Sequence, residues 1–173
     1  MRTLVATMKR STTRWLAIGA MALAAPAAAQ SVPALNVTDM WWNPAESGWA
    51  ISMMQSSTSN QVYALWHTYD PREPASNPGD FKPIWIVMTG GTWTTPTTFV
   101  GDAYVTNGSP FFQAWTPGAF VGTRVGRFTL DFTTASRGTM SYELAAPPNL
   151  AATDPAFGFP TLNGAKAIER YKF

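Results

Sequence analysis

The sequence predicts an all-β protein: an up-and-down antiparallel β-barrel of about eight strands with long loops at one end. Three observations lead there. From Gln30 onward the chain has almost no helical periodicity, and short runs of β-branched and aromatic residues are separated by Gly, Pro, Asn and Ser clusters. In "RVGRFTLDF", Phe128, Leu130 and Phe132 point one way while Arg127, Thr129 and Asp131 point the other, the period of a half-buried strand. The connections also alternate between short and long, and in an up-and-down barrel alternate connections lie at the same end.

Taken in order, the strands are expected at 35–42, 48–55, 61–69, 83–89, 98–106, 123–133, 139–144 and 165–173. The second, fourth and sixth are followed by short turns, at 56–60, 90–96 and 134–138. The third, fifth and seventh are followed by long links, at 70–82, 107–122 and 145–164. Parity assigns "NPAESG", which joins the first two strands, to the long-loop end, and places Trp41 and Trp42 near that mouth. Two strands, "VYALWHTY" and "PIWIVM", are apolar on both faces, so either something covers them on both sides or their outer face meets something else. An even strand count leaves no unpaired edge.

Residues 1–29 stand apart. Arg2, Lys9, Arg10 and Arg14 precede the apolar run "WLAIGAMALAA", and Ala27, Ala28 and Ala29 supply the small side chains that a signal peptidase requires. The expectation is a cleaved Sec-type signal peptide of bacterial style over 1–29, followed by one barrel domain over 30–173 that is periplasmic or secreted. The apolar run is too short to span a bilayer. Four of the twelve basic residues belong to this leader and none of the ten acids do, so the remainder carries a net charge of −2. With no basic cluster left, no nucleic-acid partner is expected. The absence of cysteine excludes disulfides, a lipoprotein anchor and thiolate metal sites.

Candidate site residues follow from the parity argument. Asn43, Glu46, Tyr69, Asp70, Arg72, Glu73, Asp80 and Lys82 are expected around one rim, beneath the aromatic loop "SPFFQAWTPGAF". A small apolar or sugar-like ligand would meet Trp42, Asn43, Glu46, Trp49, His67, Tyr69, Asp70 and Trp115, because barrel mouths favour aromatic walls with a few placed polar groups. Phe111, Phe112, Trp115 and Phe120 would form its lid, or else fold inward as a plug. Pro44, Ser47 and Gly48 equally suit a plain turn with a solvated Glu46. The hydrolytic alternative pairs Glu46 with Asp70 as the two carboxylates of a glycosidase, and a third alternative is a purely structural or adhesive module with no ligand.

His67 is the sole histidine, so a zinc site would need carboxylates from elsewhere, and a nucleophilic triad would need a serine from another strand; no G-x-S-x-G occurs. The expectation is a histidine with an ordinary hydrogen-bond partner. Met53 and Met54 face opposite ways on one strand, which argues for packing over copper. No metal and no cofactor is expected. An outer-membrane barrel shares the parity pattern, with alternating Tyr171 and Phe173 at the end of the chain. Short strands, apolar runs on both faces and Glu169 in the terminal apolar row argue for the soluble form, with no membrane partner once the signal is removed.

At "WWNPAESGWAI", "LWHTYDP", "PIWIVMTGG" and "AIERYKF" the chain resembles a family of secreted proteobacterial proteins. Its pattern has a W-W-N-P-x-E-S-G-W-G start, a W-x-T-Y-D strand and an I-x-R-x-x-F end. Here Ala50 replaces the usual glycine, His67 an aromatic, and the 145–164 loop is longer. The resemblance implies fold and export and carries no known activity. Trp41 or Trp42 with Arg170 is also similar to the pairing in calycins, the lipocalin and avidin-like barrels, where an early tryptophan packs on an arginine of the last strand.

Overall fold

The structure, a computed structural model, describes residues 31–72 and 81–173. The expected signal peptide, Glu73 and Asp80 lie outside the described residues. Eight strands follow in chain order: β1 Asp39–Trp42, β2 Ala50–Gln55, β3 Val62–Tyr69, β4 Pro83–Trp93, β5 Thr98–Asn107, β6 Val121–Thr134, β7 Arg137–Leu144 and β8 Leu162–Arg170. Each pairs antiparallel with its neighbours in sequence, and β1 pairs with β8 to close the barrel. The links at 56–61, 94–97 and 135–136 are short and those at 70–82, 108–120 and 145–161 are long, so the expected division into a tied-off end and a looped end holds.

Alternation sends Ile51, Met53, Val62, Ala64, Ile86, Met88, Phe99, Phe128, Leu130, Met140 and Ile168 inward, where they form one apolar core; among the described residues no polar or charged residue is buried. The outer wall of β6, β7 and β8 carries Arg124, Arg127, Asp131, Arg137, Glu143 and Glu169 instead. The outer wall of β3 and β4 keeps its apolar character, with Tyr63 and Trp85 exposed and Leu65 and Val87 half-buried.

Two strands differ from expectation for local reasons. The first is only four residues long, because 31–38 runs across the tied-off end instead of pairing as a strand. There Ser31 N donates to Trp93 O, Ala34 N to Pro96 O and Val37 N to the Gln55 side chain. The fourth continues through Gly90 and Gly91 to Trp93, since those glycines make a bulge and not a turn. A Cβ on Gly91 would collide with the Val100 carbonyl, so only glycine lets β5 pass that closely.

The short β1 also corrects the placement of the tryptophans. Trp41 lies opposite Arg170 near the end of β8, at the tied-off end and away from the mouth. The Arg170 guanidinium stands 4.9 Å over the Trp41 ring. It donates to the carbonyls of Ala135, Thr38 and Asn36 and to the Asp39 carboxylate. Trp41, Phe132, Trp93, Phe99 and Phe128 then form a chain of edge-to-ring and tilted ring contacts through the core, with centroids 5.1 to 6.2 Å apart.

Candidate functional site

The β3–β4 ladder runs up to Tyr69 opposite Pro83, and the β5–β6 ladder up to Asn107 opposite Val121. The β4–β5 ladder between them stops at Ile86 opposite Val105. The strand ends 83–85 and 106–107 therefore part, and a cleft of about 380 Å³ opens at the looped end between them. Its walls are Ile84, Trp85, Val105, Thr106 and Asn107 from the strands, Asp70, Arg72 and Lys82 from the β3–β4 link, and Asp154 and Pro155 from the β7–β8 link.

The polar part of this cleft is braced. Arg72 forks onto Asp70, with Nε 2.8 Å from Oδ1 and Nη2 2.7 Å from Oδ2, and its Nη1 donates to the carbonyls of Pro155 and Phe157. One guanidinium thus ties two long links together. Hydrogen bonding from Arg72 holds the Asp70 carboxyl below its ordinary value, against the opposing effect of partial burial. Asp154 accepts the Thr123 hydroxyl on both oxygens and the Ala156 amide, which fixes the start of the turn that buries Ala156 and Phe159. Above this rigid frame Trp85 is 55 % exposed and offers an open indole face.

The expected site residues are not brought together around one ligand position. Asp70 lines the cleft and Tyr69 stands just outside it on the outer wall, its ring meeting the Gly48 backbone. Glu46 belongs to a second polar group. It accepts Lys166 Nζ at 2.6 Å and Trp49 Nε1 at 3.3 Å on Oε2, and Asn43 Nδ2 at 3.4 Å on Oε1. Asn43 also takes the Ala45 amide on its side chain and the Glu46 amide on its carbonyl. "NPAESG" is thus a corner: a turn opened by Asn43 that clips the β1–β2 link to β8. Lys166 holds the Glu46 carboxyl below its ordinary value, and Glu46 in turn raises Lys166. Trp49 packs 6.5 Å from Trp66, which lies 5.1 Å from Tyr142. Trp66 is 9 % exposed, and its Nε1 is the one buried side-chain polar atom without a partner among the described residues.

His67 and Trp42 face outward from the wall. His67 Nε2 lies 2.9 Å from the Ser52 hydroxyl, and that hydroxyl also reaches Met40 Sδ. A serine from the neighbouring strand is thus present, but among the described residues no carboxylate hydrogen-bonds to the ring, so the pair lacks the third member that orients a triad. Trp42 stacks on Tyr171 at 5.2 Å, away from the cleft. Trp115 stands exposed in the β5–β6 link and contributes nothing to the cleft wall. Among the described residues no group of three His, Asp or Glu could hold a metal ion.

Trp85, Thr106, Asn107 and Asp154 are among the wall residues that sequence reasoning missed. The available signal was "PIWIVM", apolar on both faces, which left Trp85 outward with nothing to cover it.

Fold and cleft together define the class: a closed eight-stranded up-and-down barrel with a braced opening at its looped rim. No protein-family model, no curated protein and no solved structure matches the chain.

Proposed function

We propose that the protein is a non-catalytic, periplasmic or secreted barrel that binds a small sugar-like ligand in the rim cleft. The observation that carries this reading is the parting of β4 from β5, which sets an exposed indole beside a fixed carboxylate–guanidinium fork. The apolar face of a sugar ring stacks on an indole, and its hydroxyls pair with carboxylate oxygens, an amide and a threonine hydroxyl; the cleft offers Asp70, Asp154, Asn107 and Thr106. A purely apolar ligand would strip water from these polar groups and offer them no partner in return, at a cost.

Two further features support this reading over its rivals. A glycosidase needs one carboxyl kept protonated near neutral pH. Asp70 and Glu46 are each held below their ordinary values by a cation, in separate ion pairs. An outer-membrane barrel has a polar interior and an apolar outer band, whereas this interior is apolar and the outer wall of β6 to β8 is charged.

The test is calorimetric titration of the chain from Gln30 onward with a panel of neutral oligosaccharides. The expected result is saturable binding that Trp85→Ala weakens tenfold or more, while Trp42→Ala leaves it unchanged. Release of reducing sugar that is lost in both Glu46→Gln and Asp70→Asn would replace this reading with the hydrolytic one.

A further inference from the structure

The link between β5 and β6 is used neither by the core nor by the cleft. Residues 111–118 are exposed without interruption, and the aromatic side chains among them are the most open aromatics of the described residues after Phe173: Phe111 is 98 % exposed, Phe112 74 % and Trp115 72 %. Between Asp102 and Arg124 the chain carries no charged side chain at all. The backbone at the tip turns on itself, with Gln113 N donating to Pro110 O, Ala119 N to Thr116 O and Thr116 N to the Ser109 hydroxyl. Phe120 folds back toward Gly108 and Gly122 at the base of the link, so Phe111, Phe112 and Trp115 form the projecting part.

We propose that this link is a membrane-docking tip that inserts Phe111, Phe112 and Trp115 into the interfacial zone of a phospholipid bilayer. Three features select lipid as the occupant. The tip projects, and its three aromatics would bury roughly 450–750 Å² at 150–250 Å² for a complete aromatic side chain. That is short of the about 800 Å² per partner of a stable protein interface. Insertion takes no charge out of water, and three tip backbone amides are already paired within the link. Tryptophan and phenylalanine are also the side chains that settle at the boundary between headgroups and acyl chains. Because no cation takes part, the docking is driven by apolar burial and needs no anionic lipid. The sequence expectation of no membrane partner weighed only spanning structures, and a peripheral tip is a different mode of contact.

The experiment uses the chain from Gln30 onward, which contains every strand of the barrel and lacks the apolar leader. Co-sedimentation with pure phosphatidylcholine vesicles is compared at low salt and at 0.5 M salt, for the wild type and for a Phe111→Ser, Phe112→Ser, Trp115→Ser variant. The expected result is binding that is unchanged by salt and at least tenfold weaker in the variant, whose melting curve matches the wild type. If the variant does not fold, the wild type still reads the question: lipids brominated on their acyl chains should quench tryptophan emission, and Trp115→Phe should remove most of that quenching. No binding at millimolar lipid, binding abolished by salt, or a wild type whose aromatics instead drive dimerisation would each overturn the proposal.

Discussion

At the tied-off end of the barrel the two buried indoles, Trp41 and Trp93, are both paired. Trp41 Nε1 donates to Val37 O at 2.9 Å, Trp93 Nε1 to Asn60 O at 2.8 Å, and Arg170 covers the stack with bonds to three carbonyls and one carboxylate. At the looped end Trp66 buries an N–H with no partner, Trp85 and Trp115 stand open, and the polar groups meet in ion pairs that water reaches. Both ends pack indoles, but only the looped end also leaves two of them, Trp85 and Trp115, open. That division is what a rigid scaffold with a working rim requires, because binding groups keep their place only when the elements beneath them do not move.

The contrast can be broken most easily by truncation. Trp41→Ala should cost about 3–5 kcal/mol in urea unfolding, the usual loss for a large buried aromatic, whereas Trp85→Ala should lie within about 0.5 kcal/mol, the usual range for an exposed side chain. Comparable losses at the two positions would mean that the ends do not differ in kind. Arg170→Lys should follow at about 2–3 kcal/mol, because a single ammonium cannot serve three carbonyls and Asp39 at once.

A matched pair sharpens the comparison. Trp93→Phe and Trp66→Phe remove the same volume, but the first strands the Asn60 carbonyl while the second removes an N–H that had no partner. Chemical denaturation should show Trp93→Phe costing about 1–2 kcal/mol more than Trp66→Phe, the difference between losing a hydrogen bond and losing an unsatisfied donor. Equal costs would indicate that the Trp66 N–H is paired in solution, for example by an ordered water.

The smallest effect is that of pH. Asp39, Glu46 and Asp70 all have carboxyls held below their ordinary values, by a backbone amide with Arg170, by Lys166 and by Arg72 respectively. A lowered folded value means that the stabilisation is fully present above the unfolded value, near pH 4, and fades as pH falls through the folded one. Lys166 is raised, so its share persists below its unfolded value of about 10.4 and is lost only at higher pH. The melting temperature should be flat between pH 6 and 9 and decline below about pH 4. Glu46→Gln should shrink that acid decline slightly, since exposed pairs contribute little.

How much of this was legible in the sequence depends on range. Strand alternation in β6 and the parity of the links are local patterns and are legible in the sequence; the aromatics of 109–120, expected as a lid or an inward plug, instead stand exposed and away from the cleft wall. The start of β1 differs from expectation because Val37 belongs to the buried core and looks like strand, yet its amide bonds to the Gln55 side chain and not to a neighbouring backbone. The glycine pair in β4 read as a turn because a bulge and a turn use the same residue. The Glu46–Lys166 clip joins residues 120 positions apart, and the cleft exists only because one ladder stops earlier than its two neighbours. Neither leaves a trace in composition or spacing. Only Trp85, outward on an otherwise apolar strand, hinted at where the wall would open.

The seam between β1 and β8 consists of two residue pairs, Trp41 with Arg170 and Trp42 with Glu169. Every other ladder joins strands that are consecutive in the chain. Seven of the eight ladders can therefore form between strands that follow one another in the chain, each over a single link. The eighth joins the first strand to the last. Ring closure is the single step of assembly that spans the whole barrel, and the Arg170 guanidinium at that seam also covers the aromatic stack beneath it.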